Sequence, residues 1–234
     1  MKIINPRTGE ADYEIAPLDA AELAALTHRM RAAQPRWAAR SPEERGIALR
    51  KLGTAITRHR EAIIAALAND TGRFMISTIE VDGTPRLIDR WASSAPALIA
   101  DASITDRPTV IPGISTSTRL IPFALVGAIS PWNFPLTLAL IDAIPALMAG
   151  CAVIIKPSEV TPRFIAPLMA AIAEVPELAD VLVLIEGDGA TGAALVEAVD
   201  ILLSPARSPR AAKLARRQLG PSSLQAWNLA AKTR

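Results

Sequence analysis

The sequence is poor in several residue types that define particular classes of protein. A single Cys excludes an internal disulfide framework and a metal site built from clustered cysteines. With only two His beside that Cys, few side chains are available for acid–base or nucleophilic chemistry. No apolar run reaches the roughly 18 residues that a membrane span needs, and the opening MKIINPRTGE lacks the apolar segment of a signal peptide. We therefore expect a cytoplasmic protein with no membrane partner and no metal.

Length and charge limit how the chain can be organised. Half of the 234 residues are apolar, which is enough for a buried core in one large domain or two small ones and excludes wholesale disorder. The formal net charge of +2 hides an asymmetry, because residues 204–234 contain seven basic side chains and no acidic one. Such a tail is typical of an arm that binds nucleic acid or a membrane. A tail translated out of frame explains this charge better, so we expect no nucleic-acid partner.

The first 113 residues have mainly helical periodicity, with apolar side chains three and four positions apart. Ser41-Pro42-Glu43-Glu44 combines the cap, the proline and the acidic residues that are typical of a helix start. The predicted elements are helices over 19–36, 42–70 and 77–100 (the last interrupted near Gly83), a connector over 101–113 and a polar strand within 114–123.

The second part alternates short apolar runs with helical stretches, a pattern that predicts βαβ units and a parallel sheet buried on both faces. The fold class expected from the residues is therefore α/β. The predicted strands are Ala124–Ile129, Cys151–Ile155, Val181–Ile185 and Ile201–Leu203, and the predicted helices between them span 136–149, 162–175 and 190–199.

Three strand ends contain residues suited to binding or chemistry, since ligands of open α/β sheets lie beyond the carboxyl ends of the strands. They are Ile129–Pro135, Lys156–Glu159 and the glycine-rich turn Gly187–Gly192. Each segment also has a structural explanation. Asn133 could cap the next helix, Trp132 could belong to the core, Lys156 could be a solvated loop residue, and glycine-rich turns are common between strands and helices.

The stretch VGAISPWNFPL…AIPALMAGCAVIIKPSEVTP, Val126–Pro162, resembles the signature segment of the aldehyde dehydrogenase superfamily in both motif and spacing. INPRTGE and the helix ending in DTG are similar to that family's N-terminal region, so the resemblance covers residues 3–203. It implies NAD- or NADP-dependent oxidation of an aldehyde to an acid. It also implies that residues 1–203 form an incomplete Rossmann-like cofactor-binding domain preceded by helices, without the catalytic domain.

The resemblance further implies roles for single residues. Asn133 matches the amide that donates to the developing oxyanion after a cysteine thiolate attacks the aldehyde. Lys156 matches the lysine that binds the adenosine ribose, and Glu159 matches a position that helps to choose between NAD and NADP. The remaining expected cofactor contacts are Ile129, Ser130, Pro131, Trp132, Ser158, Gly187 and Gly189. Cys151 falls in a buried apolar strand and is expected to be inert.

The family's nucleophilic Cys lies beyond the position that corresponds to residue 234, and the last 31 residues do not match the family as they stand. Back-translated and read one nucleotide earlier, Ser204-Pro205-Ala206-Arg207 permits the family's Phe-Thr-Gly-Ser. In the same frame Gln225–Arg234 permits Ser-Leu-Glu-Leu-Gly-Gly-Lys-Asn-Pro, and its Glu is forced because TGG followed by AAY contains GAA. We therefore expect a one-base deletion, or its equivalent, near the Leu203 codon.

Three hypotheses follow. The chain is a truncated, inactive aldehyde dehydrogenase homologue; or it is a non-catalytic module that binds nucleotide or pairs with intact family subunits; or it is one part of a split enzyme. The polar strand in 114–123 is the expected element for homo-oligomer formation, as in the family.

Overall fold

The computed structural model describes residues 1–204. The sequence also predicts a basic helix over 210–219, because Ala, Lys, Leu, Arg and Gln favour helix, within a loosely packed or irregular tail; both predictions lie outside the described residues. Helices and strands alternate after an initial helical region, which confirms the predicted α/β class. The helices are α1 Ala20–Ala38, α2 Pro42–Arg58, α3 Arg60–Thr71, α4 Phe74–Ala102, α5 Pro135–Ala149, α6 Ile165–Ala173 and α7 Gly189–Ala198. The strands are β1 Lys2–Ile4, β2 Ala11–Glu14, β3 Ile104–Pro108, β4 Ser115–Thr118, β5 Leu125–Ile129, β6 Ala152–Lys156, β7 Leu182–Leu184 and β8 Ile201–Leu203.

The helical region differs from the prediction in two places. The helix expected over 42–70 is two helices, because the chain leaves helical geometry at His59 (φ −90°, ψ 11°) before α3 begins. The interruption expected near Gly83 is absent, and α4 runs through it with Pro85 and Pro96 inside. Tertiary contact explains the second difference: a Cβ added to Gly53 of α2 would lie 3.6 Å from Pro85 Cα, so packing against α2 compensates for a locally weak helix former.

Two hairpins frame the helical region, and the sequence predicted neither as such. β1 and β2 form an antiparallel hairpin around the INPRTGE turn. β3, inside the segment expected to be a connector, pairs with β4, the predicted polar strand. All four residues of β4 are exposed, because alternation of Ser and Thr offers no apolar face to bury.

The described residues contain one larger sheet, in the order β7-β6-β5-β8 with every pair parallel. Taking β5 as its first strand, this is the 3-2-1-4 order shared with the first four strands of a dinucleotide-binding Rossmann sheet. β5 and β6 are buried along most or all of their length, as predicted from their continuous apolar runs. Cys151, expected inside a strand, lies one residue before β6 and is buried.

The N-terminal helices are fastened to the sheet layer through the last turn of α5. Trp37 Nε1 donates to the carbonyl of Leu147 at 3.0 Å, and Arg45 Nε donates to the carbonyl of Met148 at 2.9 Å. These carbonyls are among those that a helix C-terminus leaves without an intrahelical partner. One apolar core therefore extends from α1 and α2 to the sheet. Among residues 1–204, no helix combines the length and the hydrophobicity needed to cross a membrane.

Candidate functional site

The carboxyl end of β5 lies where the strand order reverses, between β6 on one side and β8 on the other. In open α/β sheets this position opens a crevice, because the helices that follow the two neighbouring strands pack on opposite faces. The loop that leaves β5 here contains Ser130, Pro131, Trp132 and Asn133, all of them candidate residues. The sheet therefore places this motif at the position where dinucleotide sites are built.

The three predicted strand ends come together around Lys156. Ile129 is the register partner of Lys156, and the Ser130 N–H donates to the Lys156 carbonyl at 3.2 Å. A Cβ added to Gly192, in the first turn of α7, would lie 3.6 Å from both Ile129 Cδ1 and Lys156 Cδ. The glycine-rich turn after β7 therefore faces the other two segments across Lys156.

Lys156 is buried, with a side chain only 4% exposed, so the solvated-loop alternative is wrong. Its Nζ donates to the Pro157 carbonyl at 3.0 Å and to Glu159 Oε2 at 3.3 Å. Glu159 is 42% exposed and lies at the opening of the crevice. Because an ammonium has three N–H donors, this arrangement leaves one for a further acceptor.

Two details of the loops around Lys156 bear on ligand binding. The Ser130 hydroxyl is buried and has no hydrogen-bond partner within the described part of the chain, although buried polar atoms are normally paired. A Cβ added to Gly187 would overlap the Thr191 side chain, which explains the glycine there. Ser158, by contrast, has a local role, since its Oγ accepts from the Val160 N–H at 3.3 Å.

The turn before α7 is closed by a carboxylate. Asp188 Oδ1 accepts from the backbone N–H groups of Ala190 and Thr191 at 2.8 and 3.2 Å, and these bonds hold the Asp188 pKa below its usual value. Gly189, the first residue of α7, is exposed. Asp188 therefore occupies the anion-binding end of this helix itself.

The Asn133 loop is held by α4. The Arg73 guanidinium donates to the Asn133 carbonyl and lies 5.5 Å from the centroid of the Phe134 ring. Among residues 1–204 no hydrogen bond occupies the Asn133 side-chain amide, and Phe134, not Asn133, precedes the first residue of α5. The alternative that Asn133 caps the helix is therefore wrong. So is the core alternative for Trp132, which is 55% exposed.

Glu80 performs the capping for which the sequence offered Asn133 as the candidate. Its Oε2 accepts from the Thr137 N–H at 2.9 Å, in the first turn of α5, and the residue is only 4% exposed. Burial raises the Glu80 pKa, against the effect of the Thr137 hydrogen bonds. No local motif signals Arg73 or Glu80, because each contacts a segment about 60 residues away in sequence.

Cys151 is not placed as a nucleophile. It is 4% exposed, lies beneath the N-terminal helices, and burial raises the pKa of its thiol. Within residues 1–204, no three His, Cys, Asp or Glu side chains come together in a way that would hold a metal ion.

A sequence model of the aldehyde dehydrogenase family matches residues 1–203. The chain belongs to the aldehyde dehydrogenase family. The resemblance drawn from the motifs is thereby confirmed for the family and for the extent of the match.

Individual relatives agree with this assignment. PutA from Anabaena variabilis, assigned by name to the aldehyde dehydrogenases, has a solved structure that is 46% identical with a TM-score of 0.88, over 93% of this chain and 47% of that one. Betaine aldehyde dehydrogenase from Staphylococcus aureus, solved in complex with NAD+, is 26% identical with a TM-score of 0.82, over 94% of this chain and 44% of that one. Fluoroacetaldehyde dehydrogenase from Streptantibioticus cattleyicolor is 35% identical over 73% of this chain and 33% of its own length. The chain thus spans about a third of that enzyme's length and under half of each solved structure's length.

Proposed function

We propose that this chain supplies the cofactor-binding part of an NAD(P)-dependent aldehyde dehydrogenase. The observation that carries the proposal is the buried Lys156 beside Glu159, at the carboxyl end of β6 and next to the point, at β5, where the strand order of the sheet reverses. The Ser130 hydroxyl, just beyond the neighbouring strand, has no hydrogen-bond partner within residues 1–204, and this supports the proposal. These groups fit the ribose of a dinucleotide, because they offer a cationic donor, a carboxylate acceptor and a hydroxyl around one crevice.

The proposed contacts divide the site into an adenosine part and a reacting part. Lys156 and Glu159 would bind the adenosine ribose, and Gly187 and Gly189 would leave room for the adenine. Ile129, Pro131 and Trp132 would line the crevice toward the reacting carbon. When bound, NAD(P) would accept a hydride from the aldehyde carbon.

Asn133 is proposed as a donor to the oxyanion that develops when a nucleophile adds to the aldehyde. Its carbonyl is fixed by Arg73, while its side-chain amide makes no hydrogen bond within residues 1–204. A fixed backbone with an uncommitted amide is the arrangement that preorganised stabilisation of an oxyanion requires.

We propose that the chain does not oxidise aldehydes, because it has no suitably placed nucleophile. The 234 residues contain one Cys, and that Cys is buried with a raised thiol pKa. None of these residues therefore supplies the thiolate that attacks the aldehyde in the family mechanism.

Purified protein given acetaldehyde or benzaldehyde with NAD or NADP should form no reduced cofactor, measured as absorbance at the wavelength of NAD(P)H. Cys151→Ser should give the same result, because the buried thiol has no part in the reaction. Steady cofactor reduction that Asn133→Ala abolishes would overturn the proposed inactivity.

The origin of residues 204–234 is part of the same proposal. We propose that they are read out of the family's frame, because one shift restores both family segments. The coding DNA tests this directly: adding one base near the Leu203 codon should restore Phe-Thr-Gly-Ser and then Leu-Glu-Leu-Gly-Gly-Lys. A gene without a continuing family-like frame downstream would refute the frameshift.

A non-catalytic role is the second candidate, favoured by the β3–β4 hairpin. β4 is exposed along its length, and Val110 and Ile121 near the hairpin are 100% and 77% exposed. Open strand edges beside exposed apolar side chains favour pairing with another subunit. Concentration-dependent association of the purified chain in analytical ultracentrifugation, reduced by Ile121→Ser, would support pairing between copies; a monomer at all concentrations would refute self-association.

A further inference from the structure

The β1–β2 hairpin contacts both loops assigned to the adenosine half of the cofactor, although it precedes them by about 150 residues or more. Asp12 accepts a hydrogen bond from the Arg163 guanidinium. Tyr13, the next residue, donates from its hydroxyl to Glu186 Oε1 at 3.3 Å. Arg163 ends the loop that begins at Lys156, and Glu186 directly precedes Gly187. One short strand therefore reaches the two loops that follow β6 and β7.

The contact to the first loop is a network centred on the buried side chains of Arg163 and Asp70, with Asp12 at its more exposed edge. Arg163, with a side chain 9% exposed, donates to Asp70 at the end of α3 and to Asp12. Its own backbone N–H donates to Asp70 Oδ2 at 2.9 Å, and its guanidinium lies 5.1 Å from the centroid of the Tyr13 ring. Asp12 is in turn held by Asn5 Nδ2 at 2.9 Å, from the turn of the hairpin.

The contact to the second loop is a single hydrogen bond from a side chain that is itself fixed. The Tyr13 ring is held by the Arg163 guanidinium on one side, and Ile3, its register partner on β1, is 5% exposed. The direction of the Tyr13 hydroxyl is thus set by the same network that fixes the first loop. Movement of either loop would change the contact of the other.

We propose that Asp12 and Tyr13 are positioning residues for the adenosine part of the cofactor site, holding the Lys156–Arg163 and Glu186–Gly189 loops at a fixed separation. The proposal rests on the proposed function for the identity of the ligand. It goes beyond that function in assigning a role to the N-terminal hairpin, which contributes no residue to the proposed contacts.

Hydrogen exchange on the purified full chain tests the coupling without any ligand. Tyr13→Phe should make the backbone amides of 186–191 exchange about fivefold faster, the effect expected from losing one hydrogen bond, and Asp12→Ala should do the same for 158–163. Glu14→Ala, on the same strand but with a 73% exposed side chain, is the matched control and should change neither loop. Unchanged exchange in both loops, or an equal acceleration in β5 and β6, would overturn the proposal.

Nucleotide binding tests the positioning role itself, and the single Tyr of the sequence provides the probe. In protein labelled with 13Cζ-tyrosine, adenosine monophosphate should shift the one tyrosine resonance, while nicotinamide mononucleotide at the same concentration should not. Tyr13→Phe removes this probe, so its affinity is compared with that of wild type by isothermal titration calorimetry; it should bind adenosine monophosphate about fivefold more weakly at an unchanged melting temperature. Equal binding by Tyr13→Phe and wild type would overturn the positioning role. If the wild-type chain binds neither nucleotide, the proposed cofactor site fails, whereas the exchange experiment still decides whether the hairpin holds both loops.

Discussion

Glu80 is a buried carboxylate whose hydrogen-bond partner is the backbone N–H of Thr137. Burial disfavours its charged form and raises its pKa above the ordinary 4.5. Glu174, on the surface, has the opposite behaviour, because hydrogen bonds from Arg58 and His59 lower its pKa. The two residues therefore link stability to pH with opposite signs.

Glu80→Gln and Glu174→Gln test this difference at the residue scale. A raised folded-state pKa means that wild-type stability falls as the pH rises from about 4.5 through the folded value, so Glu80→Gln should gain stability relative to wild type over that window. A lowered pKa gives stability above 4.5 that is lost as the pH falls, so Glu174→Gln should lose stability relative to wild type as the pH rises. Urea unfolding from pH 3.5 to 7 measures both; differences from wild type that do not vary with pH would contradict the assigned causes.

At the scale of elements, α2 and α4 cross with little space between them. A Cβ added to Gly46 of α2 would lie 3.3 Å from the Cβ of Ala92 on α4. Gly83, in the middle of α4, has no atom within 4 Å of such a Cβ. Gly46 therefore permits the close approach of the two helices, whereas Gly83 only lowers the helix propensity of α4.

Gly83→Ala should raise the free energy of unfolding by about 0.5–1 kcal/mol, because alanine costs less backbone entropy in a helix. Gly46→Ala, the matched substitution at the crossing, should gain less or destabilise, since the added methyl crowds Ala92. Thermal unfolding of the two variants gives the comparison. A destabilised Gly83→Ala would mean that α4 is interrupted at Gly83, as the sequence alone suggested.

At the scale of the whole molecule, the helical region and the sheet share one apolar core across residues 1–204. Arg45 joins the two layers through a buried side chain: its guanidinium donates to the carbonyls of Ala38 and Arg40 beside α1 and to that of Met148 in α5. Since buried carbonyls are costly to leave unpaired, this side chain couples the layers as well as filling space.

Arg45→Met should therefore lower the free energy of unfolding by about 3 kcal/mol, in a single transition that includes both layers. Circular dichroism and tryptophan fluorescence followed through the same urea titration should give coincident curves. Arg29→Met, at an exposed position of α1, should leave the midpoint almost unchanged. Separate transitions for the two probes would indicate two independent folding units.

The sequence by itself determined the βαβ alternation, because short apolar runs such as 152–155, separated by helical stretches, are typical of strands buried on both faces. It also determined the family and the candidate loop residues, because ISPWNFP and KPSE are contiguous motifs that need no knowledge of the fold. Helix starts with a complete capping box, as at Ser41, were likewise readable from local chemistry.

Only the tertiary structure decided which distant groups hold those motifs in place. Arg73 contacts the Asn133 loop, and Glu80 contacts the start of α5. Asp12 and Tyr13 contact the loops that follow β6 and β7. All four contacts span long stretches of sequence, and no periodicity or spacing encodes such pairings. The same holds for the continuity of α4 through Gly83. Local propensity and motif are properties of neighbours along the chain, whereas burial and hydrogen-bond partners are set by neighbours in space.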